Sequence, residues 1–176
     1  MTLVNVLCLV LAVLVLLPAN DAMAQTASKE YKLKAAFMYK FVDFIAWPHK
    51  FENKTEFSVC MLGKDNFEDS LIPLKDKKAK GLPIKIRRNI TTPDAESCDM
   101  LFISNVGDEK LQNVLQLVKG KPVLTIGESG GFDDYGGMIA FLTKDNKIRF
   151  DINKTAAAES GFTISSDLLK LANVIK

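Results

Sequence analysis

The sequence predicts a three-layer α/β domain: a mostly parallel sheet with an antiparallel hairpin at one edge and helices on both faces. Three observations carry this. Short, almost wholly apolar runs at Phe57 to Leu62, Met100 to Ile103 and Pro122 to Ile126 read as strands buried on both faces. Segments with helical periodicity alternate with them, as a parallel sheet requires. Finally, Met138 to Leu142 and Ile148 to Ile152 flank Lys144-Asp145-Asn146-Lys147, which is hairpin spacing.

The first helix is expected over Ser28 to Trp47. Leu33, Phe37, Phe41, Phe44 and Ile45 form one apolar stripe, and Tyr31, Ala35, Met38 and Val42 form a second beside it. One domain core normally covers one stripe, so a homodimer is expected to bury the other, with Tyr31, Met38 and Val42 as the contact residues. Pro48 ends this helix, because the residue before proline avoids helical geometry. After the strand at Phe57, Asp65 is placed as the cap of a helix reaching Leu74, and Lys75 to Gly81 as a charged turn. Pro83 to Arg88 alternates isoleucine with basic residues and reads as a half-exposed strand. Asp108 to Val118 is an amphipathic helix stopped by Gly120, and Thr155 to Ser160 a short one. Ser165 caps a final helix carrying Leu168, Leu169, Ala172 and Ile175.

The amino-terminal segment is read as a secretory signal. Leu3 to Leu17 is nearly all apolar, Pro18 breaks it, and Ala22-Met23-Ala24 is a small-x-small cleavage site. A run of 15 residues is short for a membrane span, which needs about 20. Residues 1–24 are therefore the expected signal and 25–176 a single exported domain, soluble and beginning at Gln25. Its remaining cysteines, Cys60 and Cys98, form an even pair in an oxidising compartment, which reads as a disulfide.

Formal net charge is +2, with lysines and glutamates scattered along the chain. The densest basic run, Lys85 to Arg88, is a solvated strand face, so nucleic acid is not an expected partner. With one histidine, His49, the chain offers neither a Ser-His-Asp nor a Cys-His set, and no zinc site. The stretch Gly127 to Gly137 fails both phosphate-loop templates, and Asp133-Asp134 is too small a set for calcium. No catalytic residue, metal or cofactor is assigned, and the protein is not expected to be an enzyme.

Several stretches together resemble the YfiR family of periplasmic proteins. They are Glu30-Tyr31-Lys32-Leu33-Lys34-Ala35-Ala36-Phe37 with Phe41 and Trp47-Pro48, then Val59-Cys60-Met61-Leu62-Gly63, and Cys98 with Leu101-Phe102-Ile103-Ser104. Val123-Leu124-Thr125-Ile126, Gly131-Phe132, Gly136-Gly137-Met138-Ile139 and Ile148-Arg149-Phe150-Asp151-Ile152-Asn153 continue it, and Ile164-Ser165-Ser166 with Leu168-Leu169-Lys170-Leu171-Ala172 closes it. The resemblance implies a periplasmic, usually dimeric α/β regulator without catalysis. Its best-studied type restrains an inner-membrane diguanylate cyclase, a GGDEF protein, by binding the cyclase's periplasmic domain, which links the envelope to cyclic-di-GMP and biofilm formation. Cys60 and Cys98 match the family's frequent disulfide positions, while a second cysteine pair of the type is missing here. Lys40 and Asp99 stand where the family often has Asn and His.

An apolar contact surface with exposed aromatics is expected for such a partner. Phe132 and Tyr135 in the glycine-rich loop, and Leu168 and Leu171 near the last helix, are the candidate partner-binding residues. Two other readings stay open: a periplasmic small-molecule-binding protein with the glycine loop as its lid, and an accessory domain of a sensor kinase or an outer-membrane receptor.

Overall fold

The computed structural model describes residues 19–48, 51–144 and 147–176. The apolar run of the expected signal, His49 and the Asp145-Asn146 turn lie outside the described residues. Ala22-Met23-Ala24 lies inside the first helix. Among the described residues no helix is long and apolar enough to cross a membrane.

The chain runs α1 (Ala19–Phe44), β1 (Ile45–Ala46), β2 (Phe57–Gly63), β3 (Lys78–Ala79), β4 (Leu82–Arg87), β5 (Met100–Ser104), α2 (Asp108–Val118), β6 (Leu124–Gly127), β7 (Ile139–Lys144), β8 (Lys147–Ile152), α3 (Lys154–Glu159), β9 (Thr163–Ile164) and α4 (Ser166–Leu169). Short 3-10 helices occupy Glu68–Leu74 and Thr92–Ser97. Seven strands form one sheet in the order β3-β4-β2-β5-β6-β7-β8. The run from β4 to β7 is parallel, and α1 and α2 cover opposite faces, as the sequence predicts. The β7–β8 hairpin is antiparallel.

The other edge is antiparallel too, because β3 turns straight back onto β4. Lys80 and Gly81 both have positive φ, 52° and 85°, which is the turn that a two-residue hairpin needs. The charged stretch there is therefore a hairpin rather than only a turn. Three further boundaries shift. Helix α1 ends at Phe44 because Ile45–Ala46 pairs antiparallel with β9. The segment after Asp65 is a 3-10 turn interrupted by Pro73, and Asp65 caps only the Phe67 N–H, at 3.0 Å. The last helix stops at Leu169, and the chain beyond it lies along β8: Ile152 donates to the Val174 carbonyl and Lys176 donates back to Ile152, both at 2.9 Å. Ile175 is thus an edge residue, half exposed, and not part of a helix.

Two apolar layers sandwich the sheet. On one side Met38 and Phe41 of α1 are fully buried, and the Phe41 ring meets Phe150 at 5.1 Å and Phe141 at 5.9 Å. On the other, Leu111, Val114, Leu115 and Val118 of α2 pack on Leu62, Leu101 and Ile103. The Cys60–Cys98 disulfide lies in this second layer and ties β2 to the residue two before β5.

Candidate functional site

The parallel sheet reverses its winding between β2 and β5. The chain leaves β2 for β4 on one side, then crosses back to β5 and β6 on the other. In open α/β sheets the crevice outside the carboxyl ends of the strands at such a point is the natural place for a site. Here it holds a buried polar cluster. Ser104 ends β5, Glu128 follows β6, and Asn66 lies three residues past β2. Helix α1 contributes Glu30, Tyr31 and Lys34, which one helical turn brings to a single face. Gly63 lets the strand ends close: its φ is 93°, and a Cβ there would lie 1.9 Å from the Ser104 carbonyl oxygen.

Glu128 is the hub. It accepts from Lys34 Nζ at 2.5 Å, from Ser104 Oγ at 2.5 Å, and from the Tyr31 hydroxyl at 3.0 Å. Tyr31 in turn accepts from Asn66 Nδ2 at 2.9 Å. Lys34 also pairs with Glu30 at 2.6 Å and lies 4.5 Å from the Tyr31 ring centroid. Lys34 is only 3% exposed, so this is a charge the fold keeps out of water by surrounding it with two carboxylates. Burial alone raises the Glu128 carboxyl pKa. The hydrogen bonds from Lys34 and Ser104, the charge of Lys34 and the Tyr31 hydroxyl outweigh it and hold the carboxyl below its ordinary value. Tyr31 moves the other way: burial, then the charge of Glu128 and the bond to it, keep the phenol neutral. The cluster opens into a cleft of about 420 Å³ whose other walls include Asn105, Ser129, Phe141 and Thr143.

Of this cluster, sequence reasoning singles out only Tyr31, and as a dimer contact, though one further signal is present. Ser104 and Glu128 are each the first polar side chains after an apolar strand, and in a parallel sheet those positions share one edge. Nothing local said that α1 would bring Lys34 to the same edge.

The residues that were chosen separate into two groups. Phe132 is fully buried, its ring held between Gly127 and Gly137, so it is not an exposed contact. Leu168 is 2% exposed and belongs to the core. Tyr135 and Leu171 do face solvent, at 40% and 62%. Val174 and Ile175 are exposed on the same terminal segment as Leu171, and Lys176 joins that segment to Asp133 and Asp134 beside Tyr135. The dimer residues invert. Met38 and Val42 are buried within the protomer, and Tyr31 is turned into the polar cluster. Among the described residues, the large apolar side chains that α1 leaves outside are Leu33 and Phe44, because the sheet takes the face bearing Met38, Phe41 and Val42.

The family model described as YfiR/HmsC-like matches residues 31–173. The chain belongs to the YfiR/HmsC-like family. Among solved structures it is similar to a conserved domain protein from Vibrio cholerae O1 biovar eltor, with a TM-score of 0.51 and 15% identity over 83% of this chain. The chain spans 60% of that structure's length, and the likeness is one of fold. A second structure, the "ABC domain in complex with L-Trp" from Streptococcus pneumonia, gives a TM-score of 0.46 and 13% identity, covering 68% of this chain and 55% of that one. Within this YfiR/HmsC-like chain, Lys40 is exposed on α1. Asp99 is buried, pairs with Lys54, and accepts from the Ser58 N–H at 2.8 Å, which pins the start of β2 to the start of β5.

Proposed function

We propose that this protein is a periplasmic regulator that restrains an inner-membrane diguanylate cyclase by binding the cyclase's periplasmic domain. The observation that carries this reading is the YfiR/HmsC-like match, which runs over residues 31–173, nearly all of the domain beyond the expected signal. A disulfide between Cys60 and Cys98 agrees with an oxidising compartment.

The contact surface we assign is the edge formed by Tyr135, Leu171, Val174 and Ile175. Among the described residues these are four of the seven large apolar side chains that stand exposed, and they lie on two segments that Lys176 joins. A concentration of exposed apolar groups of this kind marks interaction sites on globular proteins. Regulation then requires the protein to bind the inactive cyclase conformation more tightly than the active one, since equal affinity shifts nothing.

The test is deletion of the gene followed by measurement of cyclic-di-GMP and surface attachment. Both are expected to rise, and the rise is expected to vanish when the partner cyclase is also deleted. Unchanged cyclic-di-GMP under envelope stress would overturn the reading and leave an accessory role for a sensor kinase or receptor ahead.

A further inference from the structure

The polar cluster at the carboxyl edge of the sheet is not needed for protein–protein contact through the Tyr135 and Leu171 edge, and its charges do not balance. The side chains lining the cleft include two carboxylates, Glu30 and Glu128, and one ammonium, Lys34. Lys34 is shared between them, at 2.6 Å and 2.5 Å. One negative charge is therefore left over, in a recess where solvent screens it less than at an open surface. Glu128 already takes three donors, so the uncompensated charge faces the cleft through Glu30, whose side chain is 30% exposed.

We propose that this cleft is a binding site for a small organic ammonium ion, a primary amine protonated at neutral pH. Its N–H groups would donate to Glu30, beside the buried Lys34. Its methylene groups would lie against Phe141, which forms part of the wall. The hydroxyl groups of Ser129 and Thr143 and the amide of Asn105 line the same cleft and suit a polar tail on the ligand. At about 420 Å³ the cleft is at the small end of the roughly 300–1,000 Å³ typical of ligand pockets, which fits a compact molecule. An anion is disfavoured, because it would meet two carboxylates before reaching the one cation that both of them shield. The position at the winding reversal of the sheet favours a ligand site at this edge independently of charge, and the ammonium class rests on the two carboxylates.

Ethanolamine is a suitable probe, titrated into the full exported domain at constant ionic strength while backbone amide resonances are followed. Saturable shifts are expected at Glu30, Asn105, Ser129 and Thr143, with a dissociation constant on the order of millimolar for so small a molecule. Glu30→Gln keeps the shape of a partly exposed side chain and is expected to weaken binding about tenfold. Thr143→Val, at another exposed position lining the cleft, is expected to weaken it by a smaller factor and guards against a folding defect in the first variant. Sodium acetate is expected to produce no saturable shift. The proposal is overturned if ethanolamine gives no saturable shift, if acetate matches it, or if Glu30→Gln binds as tightly as the parent. Co-sedimentation with phosphatidylethanolamine vesicles, in the absence of any effect of free ethanolamine, would overturn it in favour of a membrane surface.

Discussion

The ring of Phe132 fills the space between Gly127 and Gly137: a Cβ on the first would come within 2.3 Å of it, and one on the second within 2.1 Å. The ring is fully buried and holds the glycine-rich loop against the end of β6, directly beside Glu128. Gly137→Ala is therefore expected to destabilise the domain by about 1–3 kcal/mol, the usual range for overpacking. Phe132→Ala should cost about 3–5 kcal/mol through the cavity it leaves. The double variant is expected to cost less than the sum, since the small side chain removes the clash. Denaturant melts of the four proteins check this, and strict additivity would mean that Phe132 and Gly137 do not form one packing unit.

The disulfide makes a second prediction. It closes a separation of 38 residues, and Cys60 and Cys98 are 0% and 3% exposed. Removing it by Cys60→Ser is expected to cost about 2–5 kcal/mol, the usual range for a native disulfide in a small secreted domain. Because both sulfurs are buried, reduction by dithiothreitol should be slow in native buffer and accelerate with added denaturant. Fast reduction at full native stability would show that this corner of the sheet opens locally.

What the sequence made legible follows a physical division. Strands buried on both faces announce themselves as apolar runs, which is why β2 and β5 are placed nearly to the residue. Helix α2 matches its expected bounds because its one apolar face has the right period. The hairpin at Lys80-Gly81 was hidden because polar strand edges look like turns. The inward face of α1 was misjudged because it carries two adjacent apolar stripes and local pattern cannot say which one the sheet will take. In a loop of glycines Phe132 reads equally as a packed residue or an exposed contact, and the structure decides for packing, with Gly127 and Gly137 making room for its ring. The Glu128 cluster was the least legible, since its members come from α1, β5, β6 and the turn after β2, and no single window of sequence contains them.

A third prediction concerns pH. In the folded protein the Glu128 carboxyl lies below its ordinary value of 4.5. Unfolding through that window takes up a proton, so the stability contributed by ionised Glu128 is complete above pH 4.5 and is lost as pH falls through the lower, folded value. Glu128→Gln is expected to be less stable than the parent at pH 7, and the gap should narrow as melts are repeated toward pH 3. A gap that stays constant across the series would remove Glu128 from the acid response. Tyr31→Phe, which deletes the hydroxyl bonded to both Glu128 and Asn66, is expected to cost about 1–3 kcal/mol at neutral pH.

Oligomeric state gives a fourth. Leu33 and Phe44 are 45% and 36% exposed and stand eleven residues apart, three helical turns, so they share one face of α1. A homodimer across that face is expected to dissociate on Leu33→Glu with little change in monomer stability. Light scattering at micromolar concentration checks it, and an unchanged mass for the variant would move the dimer contact away from α1.

The proposed regulatory surface is tested by contrast between neighbours in sequence that differ in burial. Leu168 is 2% exposed and Leu171, three residues on, is 62% exposed. Leu168→Ser removes core packing and is expected to lower stability by several kcal/mol, about the size of a large-to-small core substitution, with any loss of restraint following from reduced folded protein. Leu171→Ser and Tyr135→Ser remove side chains that face water, so their effect on stability is expected to stay within about 0.5 kcal/mol. If the Tyr135 and Leu171 edge holds the cyclase, each of these two variants should release cyclic-di-GMP synthesis at parental protein level, and together they should match the deletion strain. The measurements are cyclic-di-GMP, surface attachment and the abundance of this protein in the same cells. Parental restraint in the Tyr135→Ser, Leu171→Ser double variant, at parental abundance, would place the contact on another face of the domain.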